Sequence, residues 1–153
     1  VYFVDDDELI IEELVHIINW DKNGFKVIGY SSDPIKAKEE ILALKPTLVI
    51  SDVQMDRLNG LKLAEEIGEV NNKINFCFLS VFDKFDYAIE AIRLGAIRYL
   101  TKPIRISELI NLLNKYLICK RWVYFYENII PKDKEIKKES YFDKTTNTWD
   151  NLL

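Results

Sequence analysis

Five times along this chain a short apolar run is followed by a stretch whose apolar residues recur at three- and four-residue spacing, and this alternation limits the fold more than any other feature. The runs lie at 1–4, 26–30, 47–50, 74–79 and 97–100. Between them, Ile10, Ile11, Leu14, Ile17 and Ile18 predict a helix that stops near Asn23-Gly24. Asp33-Pro34 reads as an N-cap with proline in the first turn, and Ile35, Ala37, Ile41, Leu42 and Leu44 carry that helix to Lys45-Pro46. Gly60 opens a third helix through Leu61, Leu63, Ala64, Ile67 and Val70. Phe85, Ala88, Ile89, Ile92 and Leu94 mark a fourth, closed by Gly95 as a left-handed cap. Ser107 caps a fifth, with Leu109, Leu112, Leu113, Tyr116 and Leu117.

Strands joined by helices imply a parallel sheet with right-handed crossovers, its interior strands apolar on both faces. The predicted fold is α/β: a flavodoxin-like, doubly wound, five-stranded parallel sheet of order 2-1-3-4-5 with helices on both faces. That order puts strands one and three side by side at the topological switch point. Strand one runs into Asp5-Asp6-Asp7-Glu8 and strand three into Asp52, so carboxylates converge where such sheets bind ligands, flanked by Ser80 from strand four and Lys102 from strand five. Asp7 and Glu8 have a simpler role, because carboxylates favour the start of the following helix. His16, the only histidine, falls opposite the apolar side of its helix with no nucleophile beside it, which points to the surface.

Clustered carboxylates repel one another unless a cation neutralises them, and Mg²⁺ takes one or two carboxylates together with phosphate oxygens. Phosphate is therefore the expected substrate. Lys102 can neutralise a phosphoryl oxygen, Ser80 can donate to another, and Asp52 can attack phosphorus as a carboxylate nucleophile. The net charge is −4 with no basic block, so the segment has no electrostatic footprint for nucleic acid. A Walker-type loop, a G-x-G-x-x-G turn, a Ser/His/Asp set and a Cys/His pair are all missing, which sets aside nucleotide hydrolases, Rossmann dehydrogenases and the usual acyl-transfer enzymes. Cys77 and Cys119 lie far apart without C-x-x-C spacing and read as buried reduced thiols.

From residue 1 to about 118 the chain resembles the receiver domain of two-component response regulators. The resemblance rests on Val4-Asp5-Asp6, on Ser51-Asp52 with Gly60 eight residues on, on Ser80, and on Tyr99-Leu100-Thr101-Lys102-Pro103. It implies that Asp52 is the phospho-acceptor, that Asp5, Asp6, Asp52 and the Gln54 backbone carbonyl hold Mg²⁺, and that Lys102 contacts the phosphate. Ser80 is then the switch hydroxyl and Tyr99 the switch aromatic, and the Lys102–Pro103 bond is cis. Such a protein is not a conventional enzyme: it catalyses its own phosphorylation and dephosphorylation at Asp52, with a sensor histidine kinase as partner. Residues 85–96 are similar to the subgroup whose output is an arabinose-regulator type helix-turn-helix domain, implying control of transcription. Asp56 stands where the family often has Pro, and Ser80 where Thr is commoner; neither removes a catalytic group.

The expected organisation is a receiver domain over 1–118 and a helical extension or linker over 119–153. The latter is too short for a complete output domain, so either an output domain, with any contact to DNA, lies outside this segment or the protein is a stand-alone receiver. The aromatic stretch 122–126 either folds back on the receiver or serves as a homodimer contact or a linker to an output domain. No run reaches eighteen apolar residues and no signal sequence opens the chain, so a cytoplasmic protein without membrane contact is expected. Two rivals differ in class. One is a haloacid dehalogenase-type aspartyl phosphatase, suggested by Asp5-Asp6-Asp7; the other is a receiver-like interaction module without phosphotransfer.

Overall fold

A computed structural model describes residues 1–81 and 85–128, with side chains described only up to Arg121 within the last helix. The side chains of the aromatic stretch 122–126 and the whole of 129–153, for which the sequence raises expectations, lie outside the described residues. The elements alternate as the sequence predicts: β1 (Tyr2–Val4), α1 (Glu8–Ile17), β2 (Gly29–Ser31), α2 (Pro34–Leu44), β3 (Leu48–Asp52), α3 (Gly60–Val70), β4 (Asn75–Ser80), α4 (Phe85–Arg93), β5 (Arg98–Thr101) and α5 (Ile106–Asn128). All strands are parallel, in the order β2-β1-β3-β4-β5. The chain divides into two units between Leu112 and Leu113, and the sheet with its site lies wholly in the first.

Register explains the two-faced core. Tyr2 aligns with Val49 and Val49 with Phe76, so these side chains share one face; Phe3, Ile50 and Cys77 share the other. The first face joins Tyr2, Val4, Val49, Phe76 and Phe78 to Ala37 and Ile41 of α2, Leu63 and Ile67 of α3, and Ala91 of α4. On the second face the Phe3 ring meets Trp20 edge-on, with centroids 5.2 Å apart. Cys77 is fully buried there, and burial pushes its thiol pKa up to about 12, fitting an inert reduced thiol, whereas Cys119, also expected to be buried, is only partly so.

Several local expectations hold at the atomic level. The Asp33 carboxylate accepts the Ile35 N–H at 2.9 Å, with Pro34 in the first turn of α2, and Asp7 caps α1 through the Leu9 N–H. Gly95 takes φ 71° after α4, and the Lys102–Pro103 bond is cis. His16 is exposed in the last turn of α1.

Other expectations need correction. α1 ends at Ile17, not at Asn23-Gly24, because the buried Trp20 indole donates to the Leu14 carbonyl and Ile18 is already extended; Ile17 is thereby exposed. α5 starts one residue before Ser107, its first turn closed by the Arg105 carbonyl. Of the residues expected on the apolar side of α4, Phe85, Ile89 and Ile92 are exposed, while Leu94, just past its end, does pack on the core. Within the helix it is Tyr87 and Ala91 that meet the sheet side, a line not foreseen.

Candidate functional site

The site forms where β1 and β3 end side by side. Val4 aligns with Ser51, so Asp5 leaves the sheet one residue past the last pair, next to Asp52, the final residue of β3. What brings α3 down onto this point is Gly60. A Cβ there would lie 1.9 Å from the Asp52 carbonyl oxygen, closer than any side chain can come. Asn59 caps α3 by accepting the Leu61 N–H at 2.8 Å, and the Gly60 N–H donates to the Val53 carbonyl, so the loop 53–59 leaves Asp52 and returns beside it.

Asp5 and Asp52 are both buried, which is costly for two like charges. The Lys102 ammonium meets that cost, donating to Asp5 Oδ2 and to Asp52 Oδ2, each at 2.7 Å, from a side chain that is only 11% exposed. Its backbone N–H is anchored on the Ser80 carbonyl at 2.7 Å. Burial pulls the Lys102 pKa down, but its two carboxylate partners outweigh that and hold it above the ordinary lysine value, so it stays cationic. Burial pushes the Asp5 carboxyl up, and the Lys102 ammonium offsets only part of the rise. The second oxygens are also engaged: Asp5 Oδ1 accepts the Asp7 N–H, and Asp52 Oδ1 accepts the Gln54 N–H, both at 3.1 Å.

Asp6 is exposed and its Oδ2 accepts the Asp56 N–H at 3.4 Å. Asp5, Asp6 and Asp52 each offer a carboxylate oxygen, and these oxygens all lie within 4.8 Å of one another. An all-oxygen, multiply anionic set of that span fits a hard divalent cation such as Mg²⁺.

Ser80, fully buried, ends β4 on the same rim. Tyr99 aligns with Phe78 across β4 and β5, half-buried against the cluster that also holds Tyr87 of α4. Asp5, Asp6, Asp52, Gln54, Ser80 and Lys102 are thus at or just past the C-terminal ends of their strands, and Tyr99 lies two residues short of the end of β5. Not foreseen were the contacts that tie the loop 53–59 outward. The Gln54 amide donates to the Tyr87 hydroxyl at 3.3 Å, and Arg57, a non-glycine at φ 71°, donates to Asp33 Oδ2 at 2.6 Å. Only the departure from the family's usual Pro at Asp56 marked this loop as unusual.

Residues 1–114 match the response regulator receiver domain family. The transcriptional regulatory protein YesN of Bacillus subtilis is 32% identical over 117 residues, 76% of this chain and 32% of YesN. The transcriptional regulatory protein HptR of Staphylococcus aureus is 33% identical over 115 residues, 75% of this chain and 45% of HptR. The chain therefore spans less than half the length of these curated relatives. Among solved structures, the REC domain of the response regulator AraT from Geobacillus stearothermophilus is similar at TM-score 0.70 and 27% identity, covering 78% of this chain and 95% of that one. The two component transcriptional regulator AraC from Clostridium phytofermentans is similar at TM-score 0.66 and 28% identity, covering 80% and 95%. Among the described residues no helix is long and apolar enough to cross a membrane.

Proposed function

This chain belongs to the response regulator receiver domain family, and from that membership we propose that Asp52 accepts a phosphoryl group from the phosphohistidine of a sensor histidine kinase. The observation that carries the proposal is the position of Asp52: a buried carboxylate at the switch point, within 4.8 Å of two others and held by Lys102. Asp5, Asp6, Asp52 and the Gln54 carbonyl would hold Mg²⁺, whose chemistry is to neutralise oxygens of the incoming phosphoryl group. Asp52 Oδ attacks phosphorus as the bond to the histidine nitrogen breaks, leaving an acyl phosphate. Lys102, already 2.7 Å from Asp52, follows the new charge onto a phosphoryl oxygen.

Output follows from the same rim. The Ser80 hydroxyl donates to another phosphoryl oxygen, and Tyr99 turns inward on the neighbouring strand, so the surface around Tyr99 shifts between two states. Moving that balance from mostly inactive to mostly active takes roughly 3–5 kcal/mol, within reach of several charge-assisted hydrogen bonds. The similarity to transcriptional regulators supports an output in transcription, delivered by a DNA-binding domain outside this segment. We assign 1–118 to the cytoplasmic receiver and 119–153 to a helical extension or linker.

Incubation with acetyl phosphate tests the chemistry through intact mass. One phosphoryl group should add in Mg²⁺ and none in excess chelator; equal uptake in both would contradict the proposal. The switch is tested by Ser80→Ala, which should still take phosphate while the Tyr99 ring and nearby amides no longer shift in NMR spectra with beryllofluoride, a phosphate mimic. Shifts equal to wild type would remove Ser80 from the relay.

A further inference from the structure

The loop 53–59 ends in an ion pair that the chemistry above does not use. Arg57 Nη1 donates to Asp33 Oδ2 at 2.6 Å, while the other oxygen of Asp33 caps α2. The Asp33 corner is itself fixed: its N–H donates to Ser31 Oγ at 3.2 Å, and the Ser31 carbonyl accepts the Asp5 N–H at 3.4 Å. On the near side of Arg57, the Asp56 N–H reaches Asp6 Oδ2. The loop therefore runs from Asp52 past Asp6 to the β2–α2 corner, where Arg57 ties it outward before the Gly60 N–H bonds back to the Val53 carbonyl. That tie is made from a left-handed backbone, φ 71°, uncommon for a non-glycine residue and spanned by the Leu58 N–H donating to the Asp56 carbonyl at 2.8 Å.

We propose that Arg57 and Asp33 form a strap that fixes this loop beside the carboxylate cluster, making Arg57 a positioning residue for the divalent cation. The proposal rests on the reading of Asp5, Asp6, Asp52 and the Gln54 carbonyl as its ligands. Both side chains of the pair are well exposed, 64% and 41%, so the pair contributes little to folding. Its effect is on geometry. It holds the segment that carries the Gln54 carbonyl and the donor on Asp6, and partners that orient ligands in this way govern metal affinity.

The strap and plain electrostatics predict opposite signs for one variant. Arg57→Gln removes a positive charge near a cation site, which by charge alone tightens Mg²⁺ binding. With the strap lost, binding should instead weaken by about two- to fivefold, the most that an exposed ion pair can supply. Asp33→Asn breaks the same pair yet keeps a good N-cap for α2, and it should weaken binding similarly. The double variant should be no weaker than the weaker single one, because both remove a single interaction. A single N–H···O contact joins the pair, so Arg57→Lys should bind nearly as wild type. The readout is Mg²⁺ titration of the full chain followed by amide shifts of residues 53–60, with urea midpoints expected to stay close to wild type. Arg57→Gln binding Mg²⁺ as tightly as wild type, or more tightly, overturns the strap and leaves the ligand assignment standing. Wild-type amides that ignore Mg²⁺ overturn both.

Discussion

Asp52→Asn should take up no phosphoryl group from acetyl phosphate in Mg²⁺, while remaining folded. An amide keeps the shape of the carboxylate and its oxygen can still accept the Gln54 N–H, but it is not a nucleophile toward phosphorus. Breaking one partner of a buried ion pair can cost about 3–5 kcal/mol when the other charge is left alone. Lys102 is not left alone, since Asp5 Oδ2 lies 2.7 Å from its ammonium, and the repulsion between Asp5 and Asp52 disappears with the substitution. The net change in stability should stay under about 2 kcal/mol. Intact mass after incubation and a urea unfolding curve check both halves. A variant that labels like wild type removes Asp52 from the reaction, and one that does not fold shows that Lys102 needs both carboxylates.

Gly60→Ala should destabilise the protein by about 3 kcal/mol or more, a large effect for one methyl group. The added Cβ would sit 1.9 Å from the Asp52 carbonyl oxygen and 2.9 Å from Ser51 Oγ. The first neighbour is backbone inside a central strand paired on both sides, so α3 has to lift away from the site. Gly68 gives the comparison within the same helix. It is exposed, with nothing within 4 Å of its added Cβ, so Gly68→Ala should stabilise by about 0.5–1 kcal/mol through helix propensity. Urea midpoints of the two variants should therefore move in opposite directions. Equal midpoints for Gly60→Ala and wild type would show that α3 does not need its close approach to β3.

The sheet order was legible because short, largely apolar segments alternate with helices, several of whose ends are chemically marked. Asp33-Pro34 and Gly95 act in the fold as their residue types suggest, through a capping carboxylate and a left-handed φ. What periodicity could not settle was which of two equivalent stripes a helix buries. In α4 both Phe85-Ile89-Ile92 and Tyr87-Ala91 have helical spacing, Leu94 beyond the helix end fits the buried side, and the choice is made by what the sheet offers opposite. The end of α1 was misplaced for a related reason: Trp20 lies six residues beyond the carbonyl it satisfies, a contact set by its packing on Phe3.

The carboxylate cluster with Lys102 was legible from types and strand ends, because topology alone brings those ends together. Arg57 was not. A left-handed arginine has no local signature, and its partner Asp33 is 24 residues away at the other side of β1.

Phosphate should be carried by the Asp52 carboxylate and no other. Borohydride reduces an acyl phosphate to an alcohol, so treating the acetyl phosphate-labelled wild-type protein should convert the labelled aspartate to homoserine, which peptide mass spectrometry can locate. Homoserine is expected at position 52 alone, formed with Mg²⁺ and not in chelator. Homoserine at Asp5 or Asp6, or at position 52 in chelator as readily as in Mg²⁺, would contradict it.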